Sequence, residues 1–269
     1  YCSPGMASLP ATRISVQNGN DFQMCISIEK LSASVGSLSQ FGPSRPVSLK
    51  ISVLITPHSG LSMKRTDRIV GIDGTAQGMM KMAASTLIHQ RFSRLAYDCN
   101  RPPESDSAIP KRSEIFDIPG NIAATADERG ARVDGIYRPF QAAVAQEIAR
   151  RKAAGKPTVL VTLHSFTPVF KGVRRDVEIG ILHDSDARFA DRVIAALNHG
   201  SGFVVRRNDP YGPEDGVTHT LIEHGVRNGL QNVMVEVRND LFADAASRRR
   251  VEQHLLRAIV GSVITETAV

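Results

Sequence analysis

The sequence lacks tryptophan, and aromatic residues make up only 5% of its 269 residues. The core must therefore be built mainly from aliphatic side chains, which a chain of this length can do without disulfides or metal staples. No apolar run approaches the roughly 20 residues needed to span a bilayer, so we predict no membrane association. Cys2, Cys25 and Cys99 have no metal-like spacing, and no signal-peptide pattern is evident. These features favour a reducing, cytoplasmic location.

The net charge is moderately positive and excludes few classes of function. Lys and Arg number 33 against 27 Asp and Glu, which gives a net charge of +6 and a pI near 9.5. Most of the excess comes from an acid-poor N-terminal stretch, and the only tight basic run is Arg248-Arg249-Arg250, beside Glu252 in a predicted surface helix. Nucleic-acid binding needs basic residues clustered on one element, so we predict none. A small anionic substrate is compatible with this balance, and nothing indicates the oligomeric state.

The chain divides into two segments of different character. Residues 1–50 are rich in Ser and show no sustained period, so we predict an irregular or divergent N-terminal extension. Residues 51–269 are predicted to form a single α/β domain. It begins with the apolar run Ile51–Ile55, which the turn residues of Pro57-His58-Ser59-Gly60 follow.

Strands and helices alternate through this second segment. Thr125 and Glu128 form the pattern of a capping box, and they open a long helical stretch to about Ala154 that Pro139 should kink or split. Alternation at short intervals predicts a layered α/β fold with a largely parallel or mixed sheet. The predicted strands are 51–55, 86–89, 158–163, 177–182, 203–206 and 232–237; the other predicted helices are 75–85, 187–198, 218–227 and a last one capped by Asp244 that runs to about 260.

His164 directly follows the predicted strand 158–163. In open α/β sheets, ligands bind just beyond the carboxyl ends of strands. His164 is therefore a candidate metal ligand, presented as a neutral imidazole by a rigid element. A hydrogen-bonded histidine at a strand end is the simpler alternative.

Glu236 and Arg238 share one face of an otherwise apolar strand, because side chains alternate along it. A carboxylate in such a strand is costly unless it is paired or functional. One interpretation is a buried ion pair between the two residues. The other makes Glu236 a general base and Arg238 an anchor for a substrate carboxylate.

Other candidate residues are less specific. Asn208 and Tyr211 lie in a turn after a predicted strand, where they could line a site or face solvent. His58 and Asp73 could join His164 as three N/O ligands of a catalytic zinc ion, which also needs an open position for water. No Gly-rich phosphate loop, nucleophile elbow or Cys/His metal cluster is present.

From about Thr86 to Leu241 the chain resembles the N-formylglutamate amidohydrolase family. Several ordered motifs over more than half of the chain carry this resemblance. They are Phe92-Ser-Arg-Leu-Ala-Tyr-Asp-Cys-Asn-Arg-Pro102, Ile115-Phe-Asp-Ile-Pro-Gly-Asn121, His164-Ser-Phe-Thr-Pro168, Asn208-Asp-Pro-Tyr211, Thr220-Leu-Ile-Glu-His224 and Glu236-Val-Arg-Asn-Asp-Leu241.

The resemblance implies a fold related to the zinc carboxypeptidases (phosphorylase/hydrolase-like): a three-layer α/β structure with a mixed sheet flanked by helices. It implies one divalent ion, expected to be zinc, with His164 as a ligand and Glu236 as the base that activates water. Substrate carboxylate would be held by Arg238, Asn100 and Arg101. The pocket would be lined by Asn208, Tyr211, Thr220 and His224.

The N-terminal part departs from the family pattern. Members usually carry His-Ala-Ser in the loop after the first strand and a His-x-Ala-Trp-Asp segment further on. Here Pro57-His58-Ser59-Gly60 and Ile72-Asp73-Gly74 stand in their place. From the family resemblance we predict a zinc-dependent hydrolase. Its substrate would be an N-acyl, in particular N-formyl, acidic amino acid such as N-formylglutamate. The alternative is a catalytically impaired or metal-free binding relative with the same fold.

Overall fold

The protein is described by a computed structural model, which covers residues 85–90 and 92–264 and, for the backbone alone, the three strands at 15–17, 23–25 and 51–55. One mixed sheet of eight strands has the order β11-β10-β12-β7-β3-β4-β1-β2, and two short hairpins, β5–β6 and β8–β9, stand apart from it. The strands are β1 Ser15–Gln17, β2 Gln23–Cys25, β3 Ile51–Ile55, β4 Thr86–His89, β5 Arg112–Ser113, β6 Phe116–Asp117, β7 Val159–Phe166, β8 Val169–Phe170, β9 Val173–Arg174, β10 Ile179–Leu182, β11 Val205–Arg207 and β12 Gln231–Arg238.

Two pairs of neighbouring strands in the sheet are parallel: β7 with β12, and β10 with β11. The helices are α1 Pro119–Ile122, α2 Ala126–Arg132, α3 Arg138–Ala153, α4 Arg188–Asn198 and α5 Ala245–Ile264. Wider π turns lie at Val133–Tyr137 and Leu221–Gly225, and 3-10 turns at Asp106–Ala108, Pro213–Asp215, Val226–Asn228 and Asn239–Phe242.

The sheet separates two hydrophobic cores, because alternate side chains of each strand point to opposite faces. Val161 and Val235 pack with α4 and α5 on one face, while Leu160 and Met234 pack with α3 on the other. Helices therefore cover both faces, which confirms the predicted mixed sheet flanked by helices. We call the second of these surfaces, which also carries His164 and Glu236, the site face.

The predicted long helix is split in two. Thr125 closes the capping box with Glu128, whose backbone N–H donates to Oγ1 of Thr125 over 3.2 Å. The π turn Val133–Tyr137 then separates α2 from α3 while the backbone stays helical, and Pro139 lies in the first turn of α3, directly after it. Asp244 accepts hydrogen bonds from the N–H groups of Ala246 and Ser247, so its predicted role as an N-cap is confirmed.

Several predictions are not decided by the described residues. The predicted helix 75–85 lies almost wholly outside them, and so does most of the segment 1–50, although β1 pairs with β4 in the main sheet. The division into a 1–50 extension and a 51–269 domain stays a prediction, as does the relation to zinc carboxypeptidases. Within the described part of the chain, no helix is long and apolar enough to cross a membrane.

Candidate active site

His164 and Glu236 lie side by side on the two central parallel strands. They are direct partners in the register of β7 and β12, so their side chains leave the same face of the sheet from strands about 4.8 Å apart. Each residue is only 2% exposed. Sequence reasoning placed His164 just beyond its strand, but β7 continues to Phe166, so the histidine belongs to the strand itself. Its orientation is therefore fixed by the sheet rather than by a loop.

A loop crosses the sheet immediately beside Glu236. The strand partner of Glu236 on its other side is Gly180, and a Cβ atom on Gly180 would overlap the carbonyl group of Asp209, whose carbon would be 3.2 Å away. Asn208 fixes this loop, because its N–H donates to the Ile181 oxygen over 3.1 Å and its Oδ1 accepts from the His183 N–H over 3.0 Å. The predicted site residue Asn208 thus fixes the loop that lies beside Glu236.

Tyr211, at the end of this loop, contacts an arginine that sequence reasoning missed. Its hydroxyl oxygen accepts a hydrogen bond of 3.1 Å from Nη1 of Arg175. Burial raises the pKa of Tyr211, the negative charge of Glu236 raises it further, and the Arg175 cation opposes both. Tyr211 therefore stays protonated at neutral pH, and the site brings it within electrostatic range of both Glu236 and Arg175.

Arg238 binds the backbone of the segment that contains Arg175. Its Nη1 donates to the backbone oxygens of residues 175, 176 and 177 over 3.2, 3.2 and 3.4 Å. Its remaining nitrogens reach Glu178 and Asp240 at 3.2 and 2.8 Å. The alternative of an ion pair between Glu236 and Arg238 is therefore wrong: among the described residues, the carboxylates that Arg238 contacts are these other two. A substrate carboxylate at Arg238 would have to displace one of its partners.

The predicted residues Asn100 and Arg101 hydrogen-bond to the backbone of the segment 216–220, which contains the predicted residue Thr220. The Asn100 side chain accepts from the Thr220 N–H over 2.9 Å and donates to the Val217 oxygen, while Arg101 donates to the Gly216 oxygen. Burial lowers the pKa of Arg101. Negative charges nearby oppose this effect, Asp98 most strongly, and Glu236 is among them. Arg101 therefore lies within electrostatic range of Glu236, and Asn100 has both ends of its amide engaged.

Gln141 links His224 to the backbone of Cys99 and holds the histidine in one tautomer. Gln141 donates from Nε2 to the Cys99 oxygen over 2.9 Å, so its Oε1 faces His224 as an acceptor. Nε2 of His224 must then carry the hydrogen. Burial, together with His219, lowers the pKa of His224 to about 4. The imidazole is therefore neutral at pH 7.

Of the three predicted metal ligands, only His164 lies among the described residues. His58 and Asp73 lie outside the described residues. Strand β3, which precedes His58, runs antiparallel to β7: Ile51 pairs with Leu163, and Ile55 pairs with Val159. Among the described residues, no three His, Cys, Asp or Glu side chains form a group that could hold a metal ion. These residues alone do not make a zinc site, and zinc stays a prediction.

The fold and this face define a mixed α/β protein whose candidate site lies near the carboxyl ends of two parallel strands. The sequence profile of the N-formylglutamate amidohydrolase family matches residues 53–243, and the chain belongs to that family. This match confirms the family that the sequence motifs indicate.

Crystal structures that are similar to the chain include the following two. The gene product Atu2144 from Agrobacterium tumefaciens is 50% identical, with a TM-score of 0.71 over 74% of this chain and 78% of that one. The N-formylglutamate amidohydrolase from Ralstonia eutropha JMP134 is 18% identical, with a TM-score of 0.51 over 74% of this chain and 83% of that one, a likeness that concerns the fold. No curated protein sequence matches the chain.

Proposed function

We propose that the protein hydrolyses the amide bond of an N-formyl acidic amino acid such as N-formylglutamate. The observation that carries this proposal is the direct pairing of His164 with Glu236 on the site face, in a chain of the amidohydrolase family. Arginines near this pair favour an anionic substrate, because a guanidinium binds a carboxylate through two parallel hydrogen bonds.

Glu236 is proposed as the general base. It removes a proton from water, the hydroxyl adds to the formyl carbon, and the C–N bond breaks as the proton passes to the leaving amine. The products are formate and the free amino acid. Burial in the sheet suits this role, because a strand holds the carboxylate in one orientation.

The remaining predicted residues are assigned to the pocket. Arg101 is proposed to bind a substrate carboxylate, and Asn100 and Thr220 are proposed to hold together the two segments beside it. Tyr211, Asn208 and His224 line the pocket. Arg238 was predicted to anchor a carboxylate directly, and the contacts of its guanidinium now favour an action through the loop at 175–177.

Zinc is retained as part of the proposal, with one divalent ion held by His164 and by the predicted ligands His58 and Asp73. When bound, such an ion supplies Lewis acidity toward the formyl oxygen and lowers the pKa of water. The first measurement is therefore the metal content of the purified chain.

The decisive assay follows formate release from N-formyl-L-glutamate. We expect turnover by the natural chain and a loss of about 1,000-fold in kcat for Glu236→Gln, which removes the base but keeps the shape of the side chain. Glu252→Gln is the matched control, since Glu252 lies on α5 at the opposite face of the sheet. Equal turnover by both variants would contradict the role of Glu236. Binding of N-formyl-L-glutamate without metal or turnover, even after zinc reloading, would overturn the hydrolase in favour of the metal-free relative.

A further inference from the structure

We infer that Arg175 binds the side-chain carboxylate of the substrate and so selects acidic over neutral amino acids. This inference rests on the proposed function and assigns a role to a residue that the sequence motifs do not single out. It makes the substrate a dicarboxylate, with Arg101 and Arg175 as its two cationic partners.

The position of Arg175 follows from the register of the sheet. Phe166 lies two residues beyond His164 on the same face of β7 and is the strand partner of Arg238. Two residues advance a strand by about 6.6 Å. The guanidinium carbon of Arg175 lies 5.5 Å from the centroid of the Phe166 ring. The Arg175 guanidinium therefore packs against the ring that lies one row beyond the pair of His164 and Glu236, and a short amino-acid side chain can span one such row.

Aromatic rings surround this guanidinium. Its central carbon lies 4.5 Å from the ring centroid of Phe170 and 5.0 Å from that of Tyr211, in addition to Phe166. Rings at these distances attract the cation and exclude water from its faces. A carboxylate that reaches its edge would form an ion pair that is less screened than one at an open surface.

Part of the hydrogen-bonding edge of Arg175 is available. Nη1 donates to the Tyr211 hydroxyl and, at 3.5 Å, to the Thr167 oxygen. Nε and Nη2 have no partner among the described residues, and the side chain is only partly buried. These two nitrogens form one side of the planar fork that binds a carboxylate through two hydrogen bonds.

The backbone of Arg175 is fixed on both sides. Its N–H donates to the Pro168 oxygen over 2.8 Å, which closes the hairpin β8–β9, and its oxygen accepts from Arg238. The hairpin turns at Lys171 and Gly172, both with positive φ, as a tight two-residue turn requires. This backbone anchor, together with the side-chain contacts to Tyr211 and Phe170, limits the conformational freedom that Arg175 can lose on binding.

The test compares N-formyl-L-glutamate with N-formyl-L-glutamine, which has nearly the same shape but no side-chain charge. The variant is Arg175→Met, and Arg174→Met is the matched control because Arg174 is exposed and lies next to it in the chain. We expect Arg175→Met to lower kcat/KM for the glutamate substrate by about 100-fold. Its kcat/KM for the glutamine substrate should change by less than about fivefold, so that the preference disappears.

Equal losses on both substrates would assign Arg175 a structural role and overturn the inference, and so would an unchanged preference. If the natural chain hydrolyses neither substrate, the proposed function fails. The role of Arg175 is then tested separately, by ligand binding. Calorimetry with L-glutamate and L-glutamine would then show selective binding of the dicarboxylate that Arg175→Met abolishes. The absence of selective binding by the natural chain would overturn the inference as well.

Discussion

Arg238 and Arg175 are joined by a hydrogen bond of 3.2 Å from the guanidinium of the first to the backbone oxygen of the second. The two residues are 63 positions apart in the chain. Arg238 belongs to the central strand β12, whereas Arg175 belongs to the loop that follows a short hairpin. A strand residue of the site face therefore sets the position of a loop cation.

Replacement of Arg238 by Ala should raise KM for N-formyl-L-glutamate by about 10- to 100-fold, because the segment that carries Arg175 loses its hydrogen bonds from a charged donor, each of which contributes about 1.5–3 kcal/mol. If Arg238 acts through Arg175, the double variant with Arg175→Met should be little worse than Arg175→Met alone. Steady-state kinetics on the four proteins of this cycle measures the coupling. Additive losses would show instead that Arg238 binds the substrate directly, and an unchanged KM would exclude both roles.

Replacement of His164 by Ala should abolish hydrolysis, with a loss of at least about 1,000-fold in kcat, since it removes the predicted ligand beside Glu236. The free energy of unfolding, measured in urea, separates this effect from collapse of the fold. The exposed His199, which directly follows the last residue of α4, provides His199→Ala as a matched control. Full turnover by a folded His164→Ala protein would exclude the proposed chemistry.

Replacement of Gly180 by Ala should disturb the loop at Asp209 that lies on the site face beside Glu236. The added methyl group meets the backbone of Asp209, which cannot move like the end of a flexible side chain, so we expect a destabilisation of about 1–3 kcal/mol. Gly261→Ala is the control, because a Cβ there meets nothing within 4 Å and the residue lies inside α5, where Ala is favoured over Gly by about 1 kcal/mol. Urea unfolding should move in opposite directions for the two variants. Equal stability of Gly180→Ala and the natural chain would disprove the close approach of the loop.

His224 should make the fold sensitive to mild acid. Its pKa is about 4 in the folded chain, against 6.5 for an ordinary histidine, so the unfolded chain takes up the proton first as pH falls below 6.5. Stability is therefore lost between about pH 6.5 and pH 4, by up to about 3 kcal/mol from this residue. His224→Gln removes the titrating group, and its free energy of unfolding should fall less over the same pH range. Parallel profiles for the two proteins would show that His224 does not titrate with this shift.

The sequence predicts the central part of the fold well for a physical reason. Apolar runs such as 158–163 and 232–237 carry enough β-branched residues to identify buried strands, and the alternation along β12 correctly puts Glu236 and Arg238 on one face. The capping box at Thr125 and the N-cap at Asp244 are local, so short patterns suffice to identify them.

Contacts between distant loops could not be predicted in this way. Arg175 lies in a loop with no periodicity, and its surroundings are created by Phe166, Phe170 and Tyr211, which only the folded chain brings together. Alternation shows which face Arg238 occupies but not which loop covers that face. A weak signal was present, since Phe166 and Tyr211 both belong to motifs that carry the family resemblance.

The placement of His164 and Glu236 within strands has a consequence for how this protein could diversify. The pair is anchored in eight consecutive paired residues of β7 and β12, nearly all of them buried, whereas Arg175 and Tyr211 belong to short connecting segments. Segments of that kind accept substitutions and insertions more readily than core strands do. Changes in the loops at 167–178 and 208–216 could therefore redirect substrate choice while the strand-borne pair keeps its geometry, so a library for new specificities should be confined to these two loops.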